Sequence, residues 1–274
     1  NIQLTSGNVN RLSFGSFMTN NWANNVNADK PEIRDHLDAL AYAADTQKAA
    51  IIAGGLASGI QDPNKDVGAA HVGVASVVIA GDAQIGQADD PSNVFGGGVA
   101  ANGALASVGK TTIQIGATED SSKPLVYGNV YAGGIAQDTQ YQGSPSYYEK
   151  STSRVGEATI NLVSGELHGN VYTGGVVNTP NESVTDKKSV SEVGKATVNL
   201  YSADVFKGDL IEGEGATESA LNFFADDYDM KDVAVVGFNT IGGVGANVSN
   251  LAYDFGSREA TLVTGTVNFA SIAN

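Results

Sequence analysis

The chain has 274 residues, with 30 acidic against 15 basic side chains for a formal net charge of −15, 34 glycines, 6 prolines and no cysteine. With no basic block longer than Lys187-Lys188, this balance argues against nucleic acid or an anionic membrane surface as a partner, since both need clustered Lys and Arg. The missing thiols exclude disulfide staples, thiolate zinc sites and a cysteine nucleophile. No apolar run is long enough to cross a membrane as a helix, and no charged start leads into an apolar core. Asn rather than Met stands at residue 1, which reads as a processed or trimmed sequence.

In chain order, the first segment, NIQLTSG at 1–7, is a weak copy of a strand phrase that returns later. The one helical pattern follows at 31–48, where Pro31 suits a first turn and Ile33, Leu37, Leu40, Ala41 and Ala44 fall at helical spacing. It reads as a helix on a long insertion, packed on the flank or end of the molecule. Two phrases then alternate. IIAGG (51–55), NVFGG (93–97), NVYAGG (129–134) and NVYTGG (170–175) form one series, with DLIEGEG (209–215) and FNTIGG (238–243) as degraded copies. HVGVASVVIAG (71–81), SVGKTTIQIG (107–116), RVGEATINLVSG (154–165) and EVGKATVNLYSA (192–203) form the other, with SREATLVTG (257–265) as a weaker one.

The spacing is about 40 residues, in the range of solenoids. In the second phrase Ala158, Ile160 and Leu162 fall on one side and Glu157, Thr159 and Asn161 on the other, the period of a half-buried strand. Like residues recur at corresponding places in each copy, as they would in the stacked rungs of a parallel β-helix. The expected fold is therefore all-β: one parallel β-helix domain over 1–274, with Ile113, Ile160 and Val198 in one inward column and Val94, Val130 and Val171 in another. In GNVYxGG the Asn is expected to take a left-handed corner conformation, Asn129 and Asn170, or Tyr131 and Tyr172, to form columns along the outside or at corners, and the paired Gly to turn where no Cβ fits. The ranges 135–153 and 176–192 read as extended loops.

The series VGxATINLxSGxxxGNVYxGG resembles the repeats in passenger regions of bacterial autotransporters, the surface proteins of type V secretion. That resemblance covers residues 50–215 best. It implies a right-handed parallel β-helix, exported to the cell surface or secreted by a Gram-negative bacterium. It also implies a C-terminal outer-membrane β-barrel beyond Asn274 as the sole membrane contact. Adhesins, toxins and proteases all occur in the family, so the resemblance leaves activity open.

Candidate chemistry is sparse. His36, His71 and His168 stand in no nucleophile context such as GxSxG, which argues against a serine hydrolase. Glu212 and Glu214 are at i and i+2, so both carboxylates could share a groove, as a polysaccharide lyase or glycosidase would require. Asp226, Asp227, Asp229 and Asp232 are close together, but the segment lacks the glycine and terminal Glu of a calcium loop, so no metal or other cofactor is expected. The outward threonines Thr112, Thr159, Thr197 and Thr261 lack the doubled array of an ice-binding face. Tyr141, Tyr147 and Tyr148, set among Ser, Gly, Gln and Thr, have the composition of a binding loop. The expectation is a non-enzymatic, adhesin-like passenger that binds a host or cell-surface protein or glycan. A carbohydrate-active β-helix enzyme is the alternative, and a stalk for some other domain the third reading.

Overall fold

The computed structural model describes residues 1–10, 40–58, 68–118, 123–137, 150–178, 188–224, 226–262 and 266–273. Every strand pair within them is parallel, and strands from successive turns stack into four sheets. One turn of the coil passes through all four. Ala69–Ile79 lies in sheet I, Gln84–Ile85 in sheet II, Asn93–Phe95 in sheet III and Val99–Ala101 in sheet IV. Leu105–Ile115 then re-enters sheet I beside Ala69–Ile79. The chain is a parallel β-helix, as its periodicity required.

The expected columns form. Val77, Ile113, Ile160 and Val198 are paired in register and continue through Leu221 and Ile241. Val94, Val130, Val171 and Ile211 stack opposite them in sheet III. All of these belong to one continuous core. Burying such a column gains about 25 cal/mol for each Å² of apolar surface removed from water. Outside, Asn161, Asn199 and Asn222 pass hydrogen bonds along a ladder, with Asn199 Nδ2 and Asn222 Nδ2 each donating at 2.9 Å. Lys110 and Glu157 form an ion pair at 2.8 Å on the same face.

The GNVYxGG phrase is a whole corner. A Cβ on Gly128 would lie 2.0 Å from Ser92 O, and one on Gly169 2.1 Å from Gly128 O, so no side chain fits there. Val130 and Val171 enter the core, and Tyr131 and Tyr172 face outward. A Cβ on Gly97 or Gly133 would strike the next turn's backbone at 2.5 or 2.6 Å. One expectation is corrected. Asn129 and Asn170 are not left-handed, because the non-glycine residues with positive φ are Lys48, Asn102 and Asn250. Their side chains instead cap the next turn: Asn93 Oδ1 accepts from Asn129 N at 2.7 Å, and Asn129 Oδ1 accepts from Asn170 N at 2.9 Å. Asn170 Oδ1 accepts from Asp209 N and Leu210 N. An Asn amide supplies this acceptor without backbone strain.

The loop boundaries also differ. Ile135–Gln137 and Val176–Asn178 are strands of sheet IV, and the sheet I strands begin at Thr152 and Val190, inside the ranges read as loops. Strands of three residues are too short to show an alternation that could be recognised. Sheet IV packs on the first half of each long strand through Ala57, Ala100, Ala104 and Ala106, forming a thin wing. The inward side changes parity between Val108 and Thr111, at Gly109. A Cβ on Gly109 would lie 2.6 Å from Gly73 O, and one on Gly156 equally close to Gly109 O. The VG of the repeat is therefore the bend between core and wing.

The wing ends at turn five. Leu210–Glu212 leads through Gly213-Glu214-Gly215 directly into Ala216–Phe224, with no strand in sheet IV. Further on, Asn247–Asp254 pairs with both Asp227–Asp229 and Ala234–Val236, so the second and third sides merge into one strand. The coil thus narrows from four sides to two. Of the helical pattern at 31–48, residues 40–46 are helical and 31–39 lie outside the described residues.

Candidate functional site

The outward positions of sheets III and IV lie on either side of the Gly-Gly corner and make one flank along the coil. Its first column is Ile52, Phe95, Tyr131, Tyr172 and Glu212, each paired in register with the next. The second column is Leu56, Val99, Ile135 and Val176. The rings stack: Phe95 on Tyr131 at 4.7 Å and 5°, Tyr131 on Tyr172 at 4.8 Å and 10°. In-register pairing sets this spacing, because successive strands are about 4.8 Å apart. Parallel stacking is a favoured aromatic arrangement when the rings are offset.

The helical segment 40–46 occupies the first part of this flank. Leu40, Ala43 and Ala44 pack with Phe95, Val99, Ala101 and Ile135, and Tyr131 and Val176 border that cluster. The helix explains why Phe95, Val99 and Ile135 are fully buried though they point away from the coil's core. One turn further on, Tyr172 and Val176 are only half-buried. At its far end the flank loses its second wall, because sheet IV stops at Asn178. Burial of Tyr131 pushes its phenol up.

Glu212 takes the next place in the tyrosine column, and Glu214 lies in the turn that replaces the wing. Burial raises the Glu212 carboxyl above the usual range, and the nearby Glu214 charge adds to the rise. Arg258 opposes it, a basic neighbour invisible in the sequence because it is 44 residues from Glu214. Its guanidinium is occupied by backbone, amide and hydroxyl acceptors. Nη2 donates to Glu214 O at 2.8 Å and also to Ala216 O, and Nη1 donates to Asn239 Oδ1 at 2.9 Å and to Ser219 Oγ at 3.1 Å. Glu214 Oε1 accepts from Ser257 N at 2.9 Å. Arg258 and Glu214 therefore tie the last coils to the ledge where the wing ends, and only Glu212 is left facing the flank.

Among the described residues, the other candidates are held in separate contacts. Asp227–Asp229 is a strand whose Tyr228 turns inward and donates to Leu200 O at 2.8 Å, its phenol pushed up to about 12 by burial. The flanking carboxylates are held separately, Asp227 by Asn247 Nδ2, Asp229 by Asn250 Nδ2 and Asp226 by Ala203 N. Among the described residues no group of three or more acidic or His side chains could hold a metal ion. His168 is stacked on Tyr127 and bonded to Glu166 at 2.9 Å. His71 Nδ1 lies 2.5 Å from Ser107 Oγ, a contact the sequence did not suggest because the two are 36 residues apart. No carboxylate contacts the other ring nitrogen among the described residues, so the pair lacks the group that orients a catalytic imidazole. His36, Tyr141, Tyr147 and Tyr148 lie outside the described residues. No helix among the described residues is long and apolar enough to cross a membrane.

Fold and flank together define a parallel β-helical solenoid with an aromatic column on one side that ends in a carboxylate. No family model, curated protein or solved structure matches this chain.

Proposed function

We propose that the chain is a non-enzymatic, surface-exposed β-helical passenger of an autotransporter, adhesin-like, that binds a host or cell-surface protein or glycan. The observation that supports this best is the side flank, a continuous apolar and aromatic surface built on stacked rungs and left half-open at Tyr172 and Val176. A surface that recurs turn by turn on a stiff coil can present contacts at fixed spacing, the use solenoids make of their long faces. The alternating VG and GG phrases, now assigned to the bend and the corner of each rung, support the resemblance to autotransporter repeats. Export from a Gram-negative cell and anchorage through a C-terminal β-barrel belong to the same proposal.

The competing reading, a carbohydrate-active enzyme, needs two free carboxylates. Glu214 is engaged by Ser257 N and Arg258 by four acceptors, which disfavours it. The purified chain, applied to glycan arrays and immobilised host-matrix proteins, is expected to bind a defined subset without altering it. Depolymerisation of any polysaccharide, lost on Glu212→Gln, would replace the adhesin reading with the enzymatic one.

A further inference from the structure

The molecule contains an example of what its flank accepts. Segment 40–46 lies on the flank with a face made of Leu40, Ala43 and Ala44, packed on outward Phe95, Val99 and Ile135. The same two columns continue by one more turn, to Tyr172 and to Val176 at the edge of that cluster, with the same register and the same Gly-Gly corner between them. There Tyr172 and Val176 are half-buried, and Glu212 occupies the next position of the column.

Two carboxylates meet at that end. Glu212 is half-buried with Glu214 beside it, and among the described residues the guanidinium near it, that of Arg258, is directed at Glu214 O, Ala216 O, Ser219 and Asn239. A half-buried carboxylate whose neighbouring guanidinium is held by other acceptors favours a partner that brings a further cation, because direct pairing offsets its desolvation.

We propose that the open part of the flank, over Tyr172, Val176 and Glu212, is a docking site for a short amphipathic helix of a protein partner, with a Leu/Ala face and a Lys or Arg at the end facing Glu212. This is the helix-in-groove mode, in which small and aliphatic anchors at helical spacing enter an apolar channel. The site continues a contact the fold already makes. The proposal takes its biological setting from the binding-protein reading above.

The test uses the full chain and a synthetic amphipathic peptide about three helical turns long, with Leu and Ala at helical spacing and one terminal Lys. The same peptide with Glu in place of that Lys is the comparison. Titration is followed by NMR signals of Val176 and Tyr172. The Lys peptide is expected to shift both and to bind roughly tenfold tighter than the Glu peptide. Glu212→Gln is expected to abolish that preference, and Val176→Lys to abolish binding, with thermal melting checking that each variant is folded. Shifts confined to other residues, equal affinity for the two peptides, or full binding by Val176→Lys would each overturn the site. The array experiment separates the two ideas. Surface binding unaffected by Val176→Lys, with no peptide docking, removes the site and keeps the adhesin reading. Peptide docking with no ligand on any array does the reverse.

Discussion

At Glu212 a single carboxyl carries both a cost and a use. Its folded pKa is raised above the unfolded value, mainly by burial, so the folded chain binds the proton more tightly than the unfolded chain does. Stability must therefore fall as pH rises through the interval from the ordinary Glu value up to the raised one, and remain lower above it. Glu212→Gln removes that loss. The variant is expected to melt on the order of a degree higher than the parent at neutral pH, the effect being small because the group is half-exposed. The difference should vanish once the pH is below the ordinary carboxylate range. Melting curves from pH 3.5 to 8 check the sign, and a variant less stable at pH 7 would show that the carboxylate already has a cation. Ile160 is the opposite case. It is 1 % exposed between Ile113 and Val198, so Ile160→Asp places an unpaired charge in the column. A loss on the order of 4–5 kcal/mol is expected in urea unfolding.

Among the elements, glycines of the two repeat phrases do different things. Gly128 has Ser92 O where its Cβ would go, while around Gly73 there is nothing within 4 Å. Gly128→Ala should therefore displace the corner and lower the melting temperature sharply. Gly73→Ala should be neutral, or stabilise by about 0.4–1 kcal/mol through the unfolded chain. Similar melting temperatures for the two variants would contradict the corner geometry. Asn129→Ala tests the ladder that replaced the expected left-handed turn. It deletes the acceptor for Asn170 N and is expected to cost about 1–2 kcal/mol. Asn129→Gly, which would rescue a left-handed position, should fail to restore the loss.

For the molecule as a whole, stability resides in rungs and their interfaces, so inserts between rungs can change at little cost. The structure narrows which residues count as insert. Ser151 is fully buried, accepting from Gly103 N at 3.0 Å and donating to Gln137 O at 2.8 Å, so a deletion must stop short of it. Replacing 139–148, and with it Tyr141, Tyr147 and Tyr148, by a short Gly/Ser link should leave the melting temperature nearly unchanged and lower binding to any array ligand. Removing 138–152 instead should destabilise the chain, because it takes the buried Ser151 and the first residue of a sheet I strand. Equal stability of the two deletions would mean that the Ser151 contacts carry no weight.

The sequence alone determined the coil, because stacking equivalent residues in register repeats the pattern of one rung in the next, and such a pattern can be read without coordinates. The inward columns through Ile160 and Val130 were legible for that reason, whereas the sequence left open whether Asn129 and Asn170 or Tyr131 and Tyr172 form the outer column. Sheet IV was not, since three residues hold too little alternation to distinguish a strand from a loop. Nor was the role of VG, which changes the inward parity at Gly109 instead of continuing it. Glu212 could be picked out as a departure from the repeat, but not its surroundings. That Arg258 would approach it, that Glu214 would be held by Ser257 N, and that a helix from 40–46 would fill only part of the same flank depend on chain segments far apart in sequence. Such contacts are decided by where the coil narrows and where its inserts fold back, and only the tertiary structure contains that information.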